Sequence, residues 1–173
     1  MTPRSLTVKN TATILTIAAS LELAIATLSA AEVEPFVQNR KLRHSINLRL
    51  DKAQPTHAHF RAIKDAGFTA VRLAMYPGGH SAKLPSALSD EFLDGVDDAI
   101  AGARGAGLAA IVDFHDVQAM ARDPAGNRGR FLAIWRQVAV RYRSQPDDVL
   151  FELLNEPHDK LNPEFWNDLL AEA

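Results

Sequence analysis

The sequence contains no cysteine, which excludes disulfide bonds and thiolate chemistry. It also lacks an excess of basic residues, since 19 lysines and arginines stand against 21 aspartates and glutamates. A nucleic-acid-binding domain shows a basic footprint, so this balance argues against a nucleic-acid partner. No low-complexity segment or interdomain linker is visible in the 173 residues. What the chain does have is 47% hydrophobic residues, enough to build a core.

The N-terminus predicts an export signal. Two basic residues precede an apolar segment at about 13–28, and small residues at 29–31 offer a cleavage site. Glu22 interrupts the segment, and such a charge costs about 2.5–3.5 kcal/mol in a membrane-spanning helix. We therefore expect a signal peptide over residues 1–31, a secreted or periplasmic protein and no stable membrane association. An uncleaved anchor, a mis-assigned start and a disordered leader are the alternatives.

After this leader, strand and helix patterns alternate four times. Such alternation implies an α/β fold with a parallel sheet and right-handed crossovers. A loop with Pro124 and Gly126 is expected at 116–127, long enough to shape a substrate groove. The strands are predicted at 43–48, 68–73, 108–115 and from 149, and the helices begin near Thr56, Ser89, residue 128 and Asn162.

The stretch from Val149 to His158 carries the strongest chemical signal. An apolar run leads into Asn155 and Glu156, and Pro157 then follows. Proline cannot donate to a strand ladder, so the strand is predicted to stop there. Strand ends are where α/β barrels keep their catalytic residues. The two polar side chains are therefore candidate site residues.

The motif FELLNEPH at 151–158 resembles the acid/base motif of glycoside hydrolase family 5, the cellulase family of (β/α)8 barrels. The resemblance implies that Glu156 is the general acid/base and that Asn155 binds the sugar 2-hydroxyl. The strand with VRL resembles the family strand whose arginine holds the nucleophile, which implies this role for Arg72. The segment IVDFH resembles the family strand ILDLHH, which places His115 in the substrate cleft.

Purely structural roles are the alternatives to these assignments. Arg72 fits a structural ion pair, since a buried arginine needs a partner, and His115 fits a satisfied structural residue. Asp116 stands where the family often has a second histidine. The pair His57 and His59 lies two residues apart at a helix start and does not share a face, so we expect no metal site. The resemblance implies no cofactor.

Further carboxylates raise the question of a catalytic pair. Glu152 shares a strand face with Glu156, but four extended residues separate their Cα atoms by roughly 13 Å. A retaining pair needs about 5–5.5 Å and an inverting pair about 6.5–9.5 Å. Glu152 and Asp113 are thus predicted to be barrel-interior residues that need hydrogen-bond partners. Distance does not exclude Asp116 as the second carboxylate.

Length limits what the chain can contain. Removal of residues 1–31 leaves 142 residues, whereas a complete barrel needs about 250. The resemblance covers roughly 36–173 and matches the N-terminal half of a (β/α)8 barrel, truncated in helix four. We expect a partial catalytic domain at 32–173 of a retaining β-glycosidase acting on β-1,4-glucan, inactive by itself because the family's second Glu belongs to a seventh strand. The alternatives are a non-catalytic sugar-binding half-barrel and a truncated, inactive gene product, and open sheet edges predict self-association.

Overall fold

A computed structural model describes residues 35–50, 54–79 and 83–173. The predicted signal peptide at 1–31 lies outside these residues. None of the helices in the described ranges is both long and apolar enough to span a membrane. The elements are α1 (Pro35–Lys41), β1 (Ser45–Arg49), α2 (His57–Asp65), β2 (Ala70–Met75), α3 (Asp90–Gly105), β3 (Ala109–Phe114), α4 (Val117–Arg122), α5 (Pro124–Tyr142), β4 (Val149–Glu152) and α6 (Pro163–Glu172).

The four strands form one parallel sheet in the order β1-β2-β3-β4. This arrangement confirms the predicted α/β alternation. Residues directly opposite each other in a parallel sheet point to the same face. One such row joins Arg49, Ala74, Asp113 and Glu152, and a second row two residues earlier includes Arg72. These rows define the concave face of the sheet, which carries the polar residues.

The hydrophobic core lies between the opposite face of the sheet and the helices. Strand residues such as Leu73 and Phe114 alternate with the polar rows and are fully buried. Phe114 packs against Phe131 of α5, with ring centroids 5.3 Å apart. Phe60 of α2 is also fully buried. Because side chains alternate along each strand, burial of this apolar face places the polar side chains on the concave face.

The predicted helix starts at Ser89 and Asn162 are confirmed by their caps. Ser89 Oγ accepts a hydrogen bond of 3.2 Å from the Phe92 backbone N–H at the start of α3. Asn162 Oδ1 accepts one of 2.9 Å from the Phe165 backbone N–H, and a proline follows at the first helical position. Each cap satisfies a backbone donor that has no partner inside the helix. Gly67, with φ of 91°, follows α2.

The predicted loop at 116–127 is wrong, because α4 and the first turn of α5 occupy it. The two residues taken as loop signals lie in that first turn. Pro124 stands at the start of α5, where a missing N–H costs nothing. Asp123 Oδ1 accepts a hydrogen bond of 3.0 Å from the Gly126 backbone N–H and caps the helix. The helix α4 forms because Met120 is fully buried in the core.

The end of β4 also differs from the prediction. The strand ends at Glu152 rather than just before Pro157. Trp135 Nε1 donates a hydrogen bond of 3.1 Å to the Leu153 carbonyl, and this contact lies outside any strand ladder. Leu154, two residues after the strand end, is buried in the core. The extended-strand distance between Glu152 and Glu156 therefore does not apply.

Candidate active site

Arg72 is the centre of a polar cluster on the concave face. Its Nε lies 2.6 Å from Glu152 Oε2, and its Nη2 lies 2.5 Å from Glu152 Oε1. This is a two-point contact between a planar guanidinium and a carboxylate. Arg72 belongs to β2 and Glu152 ends β4, so the contact crosses β3. The pair therefore fixes the relative positions of two strand ends.

Asp113 lies beneath this pair on β3. Its side chain is fully buried, and its Oδ2 is 3.0 Å from Arg72 Nη2. The same oxygen is 2.5 Å from Nδ1 of His115, the first residue after the strand. One carboxylate thus contacts both predicted site residues of the second and third strands. Asp113 and Glu152 were predicted only to need partners, and Arg72 is a partner of both.

Asn155 joins the same cluster. Its Oδ1 accepts a hydrogen bond of 3.0 Å from Arg72 Nη2. Its backbone N–H donates to the Phe114 carbonyl at 2.9 Å, which ties this position to the end of β3. The structure therefore brings Arg72, His115 and Asn155 together at the carboxyl ends of adjacent strands.

Glu156 follows Asn155 and is exposed on the same edge. Its backbone has φ of 41°, in the left-handed region that non-glycine residues rarely adopt. The His158 ring nitrogen Nδ1 lies 2.7 Å from the Glu156 carbonyl. Such backbone strain costs about 1–3 kcal/mol and is concentrated at functional sites. The Glu156 side chain makes no hydrogen bond or ion pair within the described ranges, which leaves it accessible to a ligand.

The electrostatics of the cluster follow from one cation among several carboxylates. The hydrogen bond to Glu152 is the largest cause that raises the pKa of Arg72, burial opposes it, and the charges of Asp113 and Glu156 add to the increase. Burial is the largest cause that raises the pKa of Asp113. Its contacts with His115 and Arg72 act in the opposite direction. Arg72 therefore remains a cation with Glu156 within electrostatic range.

The structure adds an aromatic contact that sequence reasoning missed. The Tyr76 ring lies 5.1 Å from the His115 ring, and the Arg49 guanidinium lies 4.4 Å above Tyr76. Neither Tyr76 nor Arg49 was among the predicted site residues. Both residues are found where the first two strands end. That shared edge is the signal that could have grouped them with His115.

No group of three or more histidine, cysteine, aspartate or glutamate side chains in the described ranges is arranged to hold a metal ion. His59 has a local structural contact, because its Nδ1 accepts a hydrogen bond of 3.0 Å from the Thr56 backbone N–H. The polar edge of the sheet presents carboxylate, guanidinium, imidazole and amide groups that can form hydrogen bonds.

A parallel sheet whose strands alternate with helices, with an acidic, basic and amide cluster at the strand ends, is the arrangement of a (β/α)8-barrel enzyme. Residues 31–173 match the family described as Cellulase (glycosyl hydrolase family 5), and the chain belongs to this family.

Relatives and solved structures agree with this assignment. Endoglucanase H of Acetivibrio thermocellus is 28% identical over 151 residues, which are 82% of this chain and 17% of the relative. Endoglucanase A of Ruminococcus albus is 31% identical over 112 residues, 61% of this chain and 30% of the relative. A solved structure of Cel5A from Thermotoga maritima, a mutant form in complex with cellobiose, superposes on this chain with a TM-score of 0.73 at 37% identity. The superposition covers 81% of this chain and 52% of the Cel5A chain. The chain thus spans about half the length of that solved barrel and less than a third of these curated relatives.

Proposed function

We propose that this chain carries the acid/base side of the active site of a retaining β-glycoside hydrolase that cleaves β-1,4-glucan. Glu156 is the proton donor. The observation that supports this role most strongly is its position: it is exposed beside Asn155, whose side chain is bonded to Arg72. Family membership supports the reaction class, because the relatives are named endoglucanases.

In the proposed reaction, Glu156 protonates the leaving glycosidic oxygen and later removes a proton from the attacking water. His115 and Asn155 bind the sugar, and Arg72 holds the nucleophile. Retention requires a second carboxylate about 5–5.5 Å from the first. The resemblance assigns it to a seventh strand, and the structure describes four strands. We accordingly propose that the 173-residue chain alone does not hydrolyse glucan.

The proposed substrate class rests on the same relatives. Solved structures of Thermotoga maritima Cel5A are complexes with cellobiose and with mannotriose. A β-1,4-linked oligosaccharide is therefore the natural probe. A polymeric substrate fits an exported protein, which the N-terminal apolar segment at 13–28 also favours.

A non-catalytic sugar-binding function is the second candidate. It is favoured by the bonded arrangement of Arg72, His115 and Asn155, which needs no second carboxylate to contact a sugar. The two functions predict the same ligand and differ in turnover. They are distinguished by measuring binding and product formation in the same sample.

The test is an NMR titration of the chain with cellotriose, monitored by backbone amides. We expect saturable shifts at His115, Asn155 and Glu156. Asn155→Ala should abolish them, because it removes a side chain proposed to bind the sugar. The matched control is Asn167→Ala on the exposed face of α6, which should bind as the parent does.

Absence of saturable binding at millimolar cellotriose, or unchanged binding by Asn155→Ala, would contradict both candidates. Binding without products is the result expected for the chain alone. Products released from cellotriose would contradict the assignment of the nucleophile to a seventh strand.

A further inference from the structure

The proposed function assigns no role to Asp113, although this residue contacts two of the proposed site residues. Its Oδ2 is shared between His115 Nδ1 at 2.5 Å and Arg72 Nη2 at 3.0 Å. Its other oxygen, Oδ1, is buried and has no hydrogen-bond partner among the described residues. The side chain is completely buried, so substrate cannot reach it. Any effect of Asp113 on a sugar must therefore pass through the residues that it holds.

The distances determine which nitrogen of His115 carries the proton. Arg72 Nη1 lies 3.4 Å from the same Nδ1 that is 2.5 Å from Asp113. A neutral ring nitrogen either donates or accepts, so it cannot donate to Asp113 and accept from Arg72 together. The 2.5 Å separation from Asp113 places the two atoms in close contact, whereas 3.4 Å is beyond the usual hydrogen-bond range. Nδ1 is therefore the donor.

The ionisation of Asp113 supports the same direction of the hydrogen bond. A protonated Oδ2 could instead donate to Nδ1. In the carboxylate form, which the Arg72 guanidinium at 3.0 Å from this oxygen favours and burial opposes, Oδ2 has no proton to donate. Oδ2 thus accepts from both neighbours.

We infer that Asp113 is a positioning residue that holds His115 with its proton on Nδ1 and leaves Nε2 as a hydrogen-bond acceptor. His115 retains 26% exposure of its side chain, and its Nε2 has no hydrogen-bond partner among the described residues. A partner that orients one imidazole nitrogen fixes the chemistry of the other. The inference rests on the proposed function where it assigns the free acceptor to a hydroxyl group of a neutral sugar.

This assignment predicts which sugars the site prefers. An acceptor at Nε2 selects a sugar that presents a free hydroxyl at this point and disfavours one whose hydroxyl is methylated or absent. A site built to hydrogen-bond a hydroxyl rejects analogues without it more strongly than an apolar pocket rejects a changed methylene. Asp113 would therefore influence substrate choice without touching the substrate.

The direct test is the imidazole 15N NMR spectrum of the chain without sugar, at alkaline pH, with His115→Gln to assign the signal. We expect the Nδ1–H form of His115. Asp113→Ala should shift the ring toward the Nε2–H form, and the control Asp97→Ala, at the distant Arg141 ion pair, should not. A parent spectrum with the Nε2–H form overturns the inference, even if Asp113→Ala fails to fold.

A second measurement tests whether Asp113 acts through His115. Asp113→Ala should weaken cellotriose binding about tenfold, the order of loss expected for one hydrogen bond to the sugar. In the His115→Ala background the same substitution should have little further effect. Equal losses in both backgrounds would contradict the positioning role. If the parent chain binds no cellotriose, the proposed function fails, whereas the spectrum without sugar still decides the role of Asp113.

Discussion

At the scale of single residues, the guanidinium of Arg72 organises the polar face of the sheet. Its planar fork contacts Glu152 at two points while the same group reaches Asp113 and Asn155. A lysine could not reproduce this geometry, because an ammonium group is a point charge without a fork. Two carboxylates share this one cation. Of the two, Asp113 is the one whose side chain is completely buried.

This charge distribution predicts a pH dependence of stability. The pKa of Asp113 is raised above its ordinary value of 3.8, chiefly by burial, so the folded state holds this proton more tightly than the unfolded state. The resulting stabilisation is fully present below the ordinary value and is lost as pH rises through the folded pKa. The stability advantage of the parent over Asp113→Asn should therefore shrink as pH rises from below 3.8 towards neutral pH. Urea unfolding of both proteins across this range measures it.

Asp97→Asn is the control with the opposite sign. Burial acts to raise the pKa of Asp97, but hydrogen bonds from Arg141 and Tyr142 outweigh it and lower that pKa. Its stabilisation is present above the ordinary value of 3.8 and is lost as pH falls. The advantage of the parent over Asp97→Asn should therefore grow with pH. An advantage over Asp113→Asn that also grew with pH would show that Arg72 and His115 outweigh burial.

At the scale of elements, α2 and α3 approach each other through a glycine. A Cβ atom added at Gly102 would lie 2.5 Å from Cε2 of Phe60, and that ring is fully buried. Gly102→Ala should thus lower the free energy of unfolding by about 1–3 kcal/mol, the usual cost of overpacking a core. Gly105→Ala in the same helix meets no atom within 4 Å and should raise it by about 0.5–1 kcal/mol. Equal stability of the two variants in urea would contradict this packing.

Elements were predictable from sequence where local chemistry sets them. The caps at Ser89 and Asn162 need only a side chain three residues before a free backbone N–H. The helix α4 was missed because its formation depends on burial of Met120, which is a tertiary contact. The early end of β4 was missed because Trp135, 18 residues away in sequence, binds the Leu153 carbonyl.

The candidate site was also predictable from sequence only in part. A motif predicted at a strand end selected Asn155 and Glu156, and the resemblance of their strands to family strands selected Arg72 and His115. The structure brings Arg72, His115 and Asn155 into contact. The need of Asp113 for a partner was predictable from burial, but the identity of that partner was not. Which side chains meet across strands depends on the register, and sequence periodicity does not determine register between strands.

At the scale of the whole molecule, the described sheet has β1 and β4 at its edges. An unpaired strand edge is a template for another chain, so we expect concentration-dependent self-association. Leu150→Lys places a charge on the concave face of the edge strand β4 and should reduce self-association. Val140→Lys, at an α5 residue that is 71% exposed, is the matched control and should not. Light scattering from a dilution series measures the effect; a parent monomer at all concentrations would contradict this expectation.

The central claim is that Glu156 is the acid/base, and the leaving-group dependence of Glu156→Gln tests it most directly. Both variants are made in a catalytically active protein that contains the sequence of this chain. The control is Glu172→Gln, because Glu172 forms a surface ion pair with Arg128. We predict a loss of kcat/KM of at least about 100-fold on cello-oligosaccharides, whose leaving groups need a proton. Activated aryl cellobiosides should lose little in their first step, because their leaving groups depart without acid assistance. Equal, small losses on both substrates would contradict the assignment.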